Sequence, residues 1–244
     1  MLAETLFDDG IRSWTFFGRD PKRPNQIIDT NEYLVTHGNR GMLLDPGGIE
    51  VFPVVVAAVS RHIDLSQIEA LFASHQDPDI ISSLSLWVKL IPDLVVHCPS
   101  IWTGFISHFG FGATLEAIED QGRSMRLGAS NDLQAIPAHY CHSSGNFSVY
   151  DARARILFSG DIGSALLPDD EAIVTVKDFD HHIDFMEGFH RRWMPSMKAK
   201  ARWIDRVRHL DIEMICPQHG AVFAGADVHR FLEWFSELEV GSAA

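Results

Sequence analysis

The stretch SHQDPDI, residues 74–80, follows the short apolar run Ile68–Ala73, and its reading decides the fold. Within it His75, Asp77 and Asp79 alternate. In an extended segment every second side chain points to the same face. One imidazole and two carboxylates therefore converge at the carboxyl end of a strand. Gathering such groups in a strand-end loop is costly unless something positive sits between them. The plain alternative is a solvated polar turn before a helix, with Asp79 as its N-cap.

Further segments along the chain repeat the arrangement. An apolar strand closes at Phe158 and runs into SGDIG, residues 159–163, which places Asp161 at a strand end between two glycines. An Asx turn is the ordinary explanation for such an Asp. ICPQHG, residues 215–220, is again an apolar strand that runs into a His before a Gly. A lone strand-end His is usually structural, but a third strand ending in a ligand-type residue is less easily dismissed. AHYCHSSGNFSVYD, residues 138–151, adds two candidates, His139 and His142, of which one is expected to be a ligand.

The remaining sequence is that of an ordinary folded chain. Of its 244 residues 46% are hydrophobic and 22% charged, enough apolar material for a sizeable core. The formal charge of −13 repels phosphate backbones and anionic lipid, so neither nucleic acid nor membrane is expected as a partner. The N-terminus MLAETLFDDG lacks the basic and apolar regions of a signal peptide. Cys98, Cys141 and Cys216 are far apart and form no Cys-x-x-Cys pair, so a disulfide framework is not expected and a reducing cytoplasm is the economical reading.

Strands are expected at 26–29, 32–36 and 41–44, with Asn39-Arg40-Gly41 as a reversal and DPGG, residues 45–48, as a terminator. A helix over 49–61 precedes the strand 68–73. Helix is then expected at 80–90 and strand at 94–97, followed by strands at 133–137, 146–150 and 155–158. The last third reads as helices at 179–192, 195–209 and 226–238, interrupted by a strand at 213–216. Early strand pairs and late helices suggest two sheets covered by helices, with residues 1–244 forming a single domain.

The ordered set of a His-x-acid-x-Asp loop, a later His, an Asp between glycines and a final His resembles the metallo-β-lactamase superfamily. The likeness extends to NEYLVTHGNRGMLLDPGG, residues 31–48, and so covers nearly the whole chain. It implies an α/β fold, the αββα four-layer sandwich. Hydrolytic members typically carry His-x-His-x-Asp-His in the first loop; here Asp77 replaces the second His and Ile80 the last. The His-x-acid-x-Asp form is that of the flavodiiron proteins and their single-domain relatives, the oxygen-binding di-iron proteins, which usually have Glu at the position of Asp77. HSSGNFSVYD, FHRRWMPSMKA (189–199) and DIEMICPQHG (211–220) are similar to the second group.

That resemblance implies His75, Asp77 and His142 on one metal and Asp79 and His219 on the other, with Asp161 bridging. His142 is preferred over His139 because it directly precedes SSGNFSVYD. The cofactor implied is two iron ions, oxo- or hydroxo-bridged. A hard carboxylate in place of a nitrogen ligand favours iron or manganese over zinc. Ile80 leaves the second metal one protein ligand short, and the open position, with Ile80, His181 and His182 as candidate pocket residues, suits O2 or another small diatomic ligand. Core packing best explains the aromatic group Phe179, Phe185, Phe189 and Trp193. His37, His62, His97, His108, His190, His209 and His229 are expected to be solvated or hydrogen-bonded.

The function expected is O2 binding, as a sensor or O2-handling protein. The alternatives are an O2 or NO reductase, which needs an external electron donor because nothing in the 244 residues resembles a flavodoxin domain, and a metal-dependent hydrolase of the phosphodiesterase kind. A redox partner protein and a homodimer are compatible with the resemblance.

Overall fold

The computed structural model describes residues 1–20, 22, 27–169 and 171–242. A seven-stranded sheet runs in chain order through β1 (Leu2–Asp8), β2 (Arg12–Gly18), β3 (Glu32–His37), β4 (Arg40–Leu44), β5 (Ile68–Phe72), β6 (Val95–Pro99) and β7 (Thr114–Ile118). Its first four strands are antiparallel neighbours, and β4 to β7 are parallel. The second sheet contains β8 (Arg123–Leu127), β9 (Ser130–Pro137), β10 (Phe147–Asp151), β11 (Ile156–Gly160), β12 (Met214–Pro217) and β13 (Phe223–Ala224), in the order β13-β12-β11-β10-β9-β8.

Helices α1 (Phe52–Val59), α2 (Pro78–Ile81), α3 (Leu84–Leu90) and α4 (Thr103–Ile106) belong to the first half, and α5 (Phe179–Trp193), α6 (Met197–Val207) and α7 (Ala226–Glu237) to the second. The central strands, such as β3, β4, β5, β10 and β11, are buried on both faces because each sheet is covered on both. Tyr33, Val35, Met42, Leu44 and Phe72 meet Phe147, Val149, Ile156 and Phe158 between the sheets. Their neighbours Leu34, Leu43 and Leu71 point the other way, onto Val55, Val59, Leu84 and Trp87. Leu157 and Ile215 face Met186, Trp203, Ile204, Phe231 and Phe235. The result is the expected αββα order, with three apolar seams between four layers. Truncating Trp87 or Trp203, both fully buried, to alanine is expected to cost about 3–5 kcal/mol.

Some elements differ from the sequence reading. The expected strand 26–29 begins outside the described residues, and its described part, 27–29, is not a strand. The early strands are instead β1 and β2. A buried charge ties this edge to the second sheet: Arg12 donates to Asp151 (2.7 Å) and Asp132 (2.6 Å), and Trp14 Nε1 donates to Asp151 (2.8 Å). The helix expected at 80–90 starts at Pro78 and breaks at Ser82-Ser83. Both serines bond outside the segment, Ser82 Oγ accepting from Ile49 N–H and Ser83 Oγ donating to the Gly47 carbonyl. The helix expected from 49 begins at Phe52, with Pro53 in the first turn, where a missing N–H costs nothing. Among the described residues no helix is long and apolar enough to cross a membrane.

Candidate metal centre

Four loops meet at one end of the sandwich. The loop after β5 is pinned at Ser74, whose N–H and Oγ donate to the two oxygens of buried Asp45, each at 2.7 Å. Asp77 is then the extended N-cap residue of α2, and Asp79 lies in that helix's first turn. Strand alternation is therefore not what aligns the acids. Pro78 fixes the chain into a helix, and the turn carries Asp79 back toward the loop. Asp161 follows β11, His219 follows β12, and His142 stands in the connection between β9 and β10 with a left-handed backbone (φ 73°). Tyr140, two residues before it, is also left-handed (φ 61°). Such conformations are uncommon outside glycine and cluster at functional sites.

The six sequence-chosen side chains come together. His75 Nε2 lies 3.4 Å from Asp77 Oδ2 and 3.8 Å from Asp161 Oδ2. His142 Nε2 lies 2.9 Å from Asp77 Oδ2 and 3.5 Å from Asp161 Oδ2. The other oxygen of Asp161 faces the opposite way: Oδ1 is 3.7 Å from His219 Nε2, which is 3.4 Å from Asp79 Oδ2. Asp161 thus offers one oxygen to each half of the cluster.

These donors fit metal ions. Ligand atoms about 2.1 Å from a shared cation stand about 3–3.5 Å apart, close to the separations seen. His75 Nε2 and Asp161 Oδ1 are buried without a hydrogen-bond partner, and buried polar atoms are seldom left so. Three nitrogens and three carboxylates form a set harder than that of a zinc hydrolase.

The charges respond to one another. Burial pushes His75 toward the neutral form, but Asp161 and Asp77 outweigh it and raise its pKa to about 9. His219 is likewise raised to about 9 by Asp79 and Asp161 against the effect of burial. Asp77 and Asp79 are held below the usual carboxylate range by their histidines, despite burial. Without metal, protons on the imidazoles balance the carboxylates; a divalent cation would replace those protons.

A surrounding layer fixes orientation. His75 Nδ1 lies 3.0 Å from Ser74 Oγ, whose own proton goes to Asp45, so the ring donates there and leaves Nε2 free. His219 Nδ1 donates to the Asp29 carbonyl at 2.8 Å, with the same consequence. Gln76 and Gln218 each donate to the adjoining carboxylate, Asp77 (2.9 Å) and Asp79 (3.3 Å).

Of the histidines expected to be solvated or hydrogen-bonded, His190 is fully buried and hydrogen-bonded. Its Nδ1 donates to the Met186 carbonyl (2.7 Å), and its Nε2 accepts the Gly163 N–H (2.9 Å), so this neutral ring holds the loop that carries Asp161. Ser74, Asp45 and His190 lie in stretches the sequence reading singled out, SHQDPDI, DPGG and FHRRWMPSMKA, but their supporting roles were not legible there. Gln76 and Gln218 were marked only by their position beside ligand candidates.

The wall of the centre is the C-terminal end of α5. Phe189 packs against His142 (6.3 Å between ring centroids) and His219 (6.4 Å), and Trp193 packs against His142 (5.3 Å). The pocket candidates His181 and His182 sit at the other end of α5 and are not brought to the cluster. His181 is exposed beside Glu171 and Asp184, and His182 is buried against Phe185 and Phe223. Ile80 lies in the apolar seam with Leu84 and Trp87. His139 packs on Phe147 and donates to the Asp120 carbonyl, so His142 is the histidine delivered to the centre. Cys141 is buried, which pushes its thiol up to about 12 and removes its redox reactivity at neutral pH.

Residues 28–220 match the profile of the family described as "ODP family beta lactamase". A solved structure described as "Peroxy diiron species of chemotaxis sensor ODP" is 38% identical, with a TM-score of 0.87 over 99% of this chain and 97% of that one. A second, the "Apo state of chemotaxis sensor ODP from T. denticola", is also 38% identical, with a TM-score of 0.87 over 98% and 95%. A flavodiiron protein from Thermotoga maritima, 19% identical, shares the fold over 96% of this chain and 60% of its own, with a TM-score of 0.82. The chain spans about a third to a half of the length of the curated relatives it matches, diflavin flavoproteins of Synechocystis sp. among them.

Proposed function

This chain belongs to the ODP beta-lactamase family, and on that premise we propose that residues 1–244 act as one di-metal unit that binds two iron ions and, through them, O2. His75, Asp77 and His142 hold one iron, Asp79 and His219 the other, and Asp161 spans both. The observation that carries this reading is the placement of Asp161, with Oδ2 toward His142 and Oδ1 toward His219. A carboxylate so placed, with one oxygen buried and unpartnered, suits a pair of cations better than a single one.

Bound iron supplies the redox chemistry by which a neutral diatomic gas becomes a ligand. The chain's own groups do the rest. Gln76 and Gln218 orient the two acids, Ser74 and the Asp29 carbonyl set the tautomers of His75 and His219, and Phe189 and Trp193 keep water from the His142 side. Sensing rather than turnover is the role we favour, because the solved relative with 38% identity is described as a chemotaxis sensor. A separate redox protein that resets the centre, a homodimeric assembly and a cytoplasmic location belong to the same proposal. Half-exposed Trp193, in ring contact with His142, is a short route between the centre and such a redox protein.

The test is metal content and ultraviolet-visible absorption of anaerobically purified protein before and after air. Two irons per chain and a new band on oxygenation are expected. Two zincs with no spectral response, together with phosphodiesterase activity, would overturn the reading in favour of a hydrolase.

A further inference from the structure

The cations of this chain are unevenly placed. Residues 191–208 hold seven Lys and Arg against one carboxylate, Asp205, a surplus of six in a chain whose formal charge is −13. Several of the seven are accounted for. Arg191 pairs with Glu187 (2.6 Å) and Arg208 with Asp205 (3.6 Å). Lys200 is buried, with its ammonium on the Ser236 and Leu238 carbonyls.

Lys198, Arg202 and Arg206 are different. They recur at intervals of four along α6, which puts them on one helix face. Lys198 and Arg202 form no ion pair among the described residues, and Arg206 donates only to the Pro137 carbonyl (3.2 Å). All three line one cavity of about 300 Å³, closed by His139, Tyr140, Ser196 and Ala199, with no carboxylate in its lining. Asp120, 3.8 Å from His139 Nε2, lies outside that lining. Ser196 Oγ accepts the Ala199 N–H as the helix cap, which leaves its own proton free to donate inward.

Like charges held together on a surface repel one another, and among the described residues no carboxylate pairs with these three or lines the cavity. We propose that this cavity binds a multiply charged oxyanion, phosphate or clustered carboxylates, with Lys198, Arg202 and Arg206 as its charge partners. The size is at the low end of small-ligand sites, and charge-assisted hydrogen bonds from two guanidinium groups suit oxygen anions. One wall, Tyr140, belongs to the left-handed turn that carries His142 two residues later, so an anion seated there bears on the loop that enters the metal centre.

The test is calorimetric titration of the iron-loaded full chain with inorganic phosphate and, separately, with a hexaglutamate peptide. The absorption spectrum is recorded at every point, so that binding at iron shows as a band shift. Saturable binding that weakens with salt, and falls roughly tenfold or more in Lys198→Glu/Arg202→Glu, is expected. Tighter binding of phosphate identifies a free phosphate compound as the source; tighter binding of the peptide identifies an acidic protein segment. The same affinity in the variant, or no binding of either probe to the wild-type chain, would overturn the proposal. Both replaced residues are exposed, so folding and the O2 response should survive. Loss of the O2 response in the wild type would instead strike the di-iron reading.

Discussion

Two groups of histidines are buried equally in this molecule and behave in opposite ways. His75 and His219 are surrounded by Asp77, Asp79 and Asp161, and their pKa values rise to about 9. His182 and His190 lie among Phe223, Phe231, Trp234 and Phe235, and burial drives theirs down to about 4. Burial alone therefore does not make a ligand. In the proposed reading a histidine becomes a ligand where unbalanced carboxylates surround it; among apolar rings it stays neutral, and His190 then serves as a hydrogen-bonding strut.

The sharpest way to break this contrast is to remove its source of charge. Asp161→Ala is expected to lose both irons, because its oxygens face both halves, whereas His219→Ala should lose mainly one. Iron per chain after desalting checks both. Full retention of metal by Asp161→Ala would refute the assignment.

The second prediction separates the groups by pH. In the metal-free fold His75 and His219 have pKa values above the free value of 6.5. Their contribution to stability is complete below pH 6.5 and is lost as pH rises through 9. His182 and His190, with values below 6.5, contribute fully above that pH and lose it as pH falls toward 4. A tenfold change in a ring's proton affinity corresponds to about 1.4 kcal/mol. Thermal denaturation of metal-free protein should therefore fall off on both sides of neutrality. Iron loading should remove the alkaline loss and leave the acid loss.

A third prediction concerns the strut. His190→Leu removes the acceptor of the Gly163 N–H and should weaken iron binding by roughly 10–100-fold. His190→Gln, which can still accept, should recover most of it. Competition with a chelator provides the readout. Equal affinity in His190→Leu and the wild type would mean that the ring only fills space. The smallest effect is expected for Trp193→Ala. It should change stability by under about 1 kcal/mol, since the ring is half-exposed, yet make the absorption band formed in air decay faster as water reaches His142. An unchanged decay would remove Trp193 from the wall.

The sequence by itself picked out the candidate donors, because His75, Asp77 and Asp79 follow one apolar run and Asp161 and His219 stand where apolar strands run into glycine-marked loops, a local pattern. The choice of His142 over His139 came from the family resemblance. Early strand pairs and late helices also pointed to two sheets covered by helices, and the family resemblance supplied the αββα order. Tertiary structure alone decided which end of α5 covers the centre. Helical periodicity shows that Phe185 and Phe189 share a face with His181 or His182, but not which turn lies over the cleft; the structure chose Phe189 and Trp193. The split of Asp161 between two halves, the hold of His190 on Gly163 and the burial of Arg12 against Asp151 are likewise contacts between residues far apart in the chain. Their partners are set by how the sheets stack, and nothing in the neighbouring residues announces them.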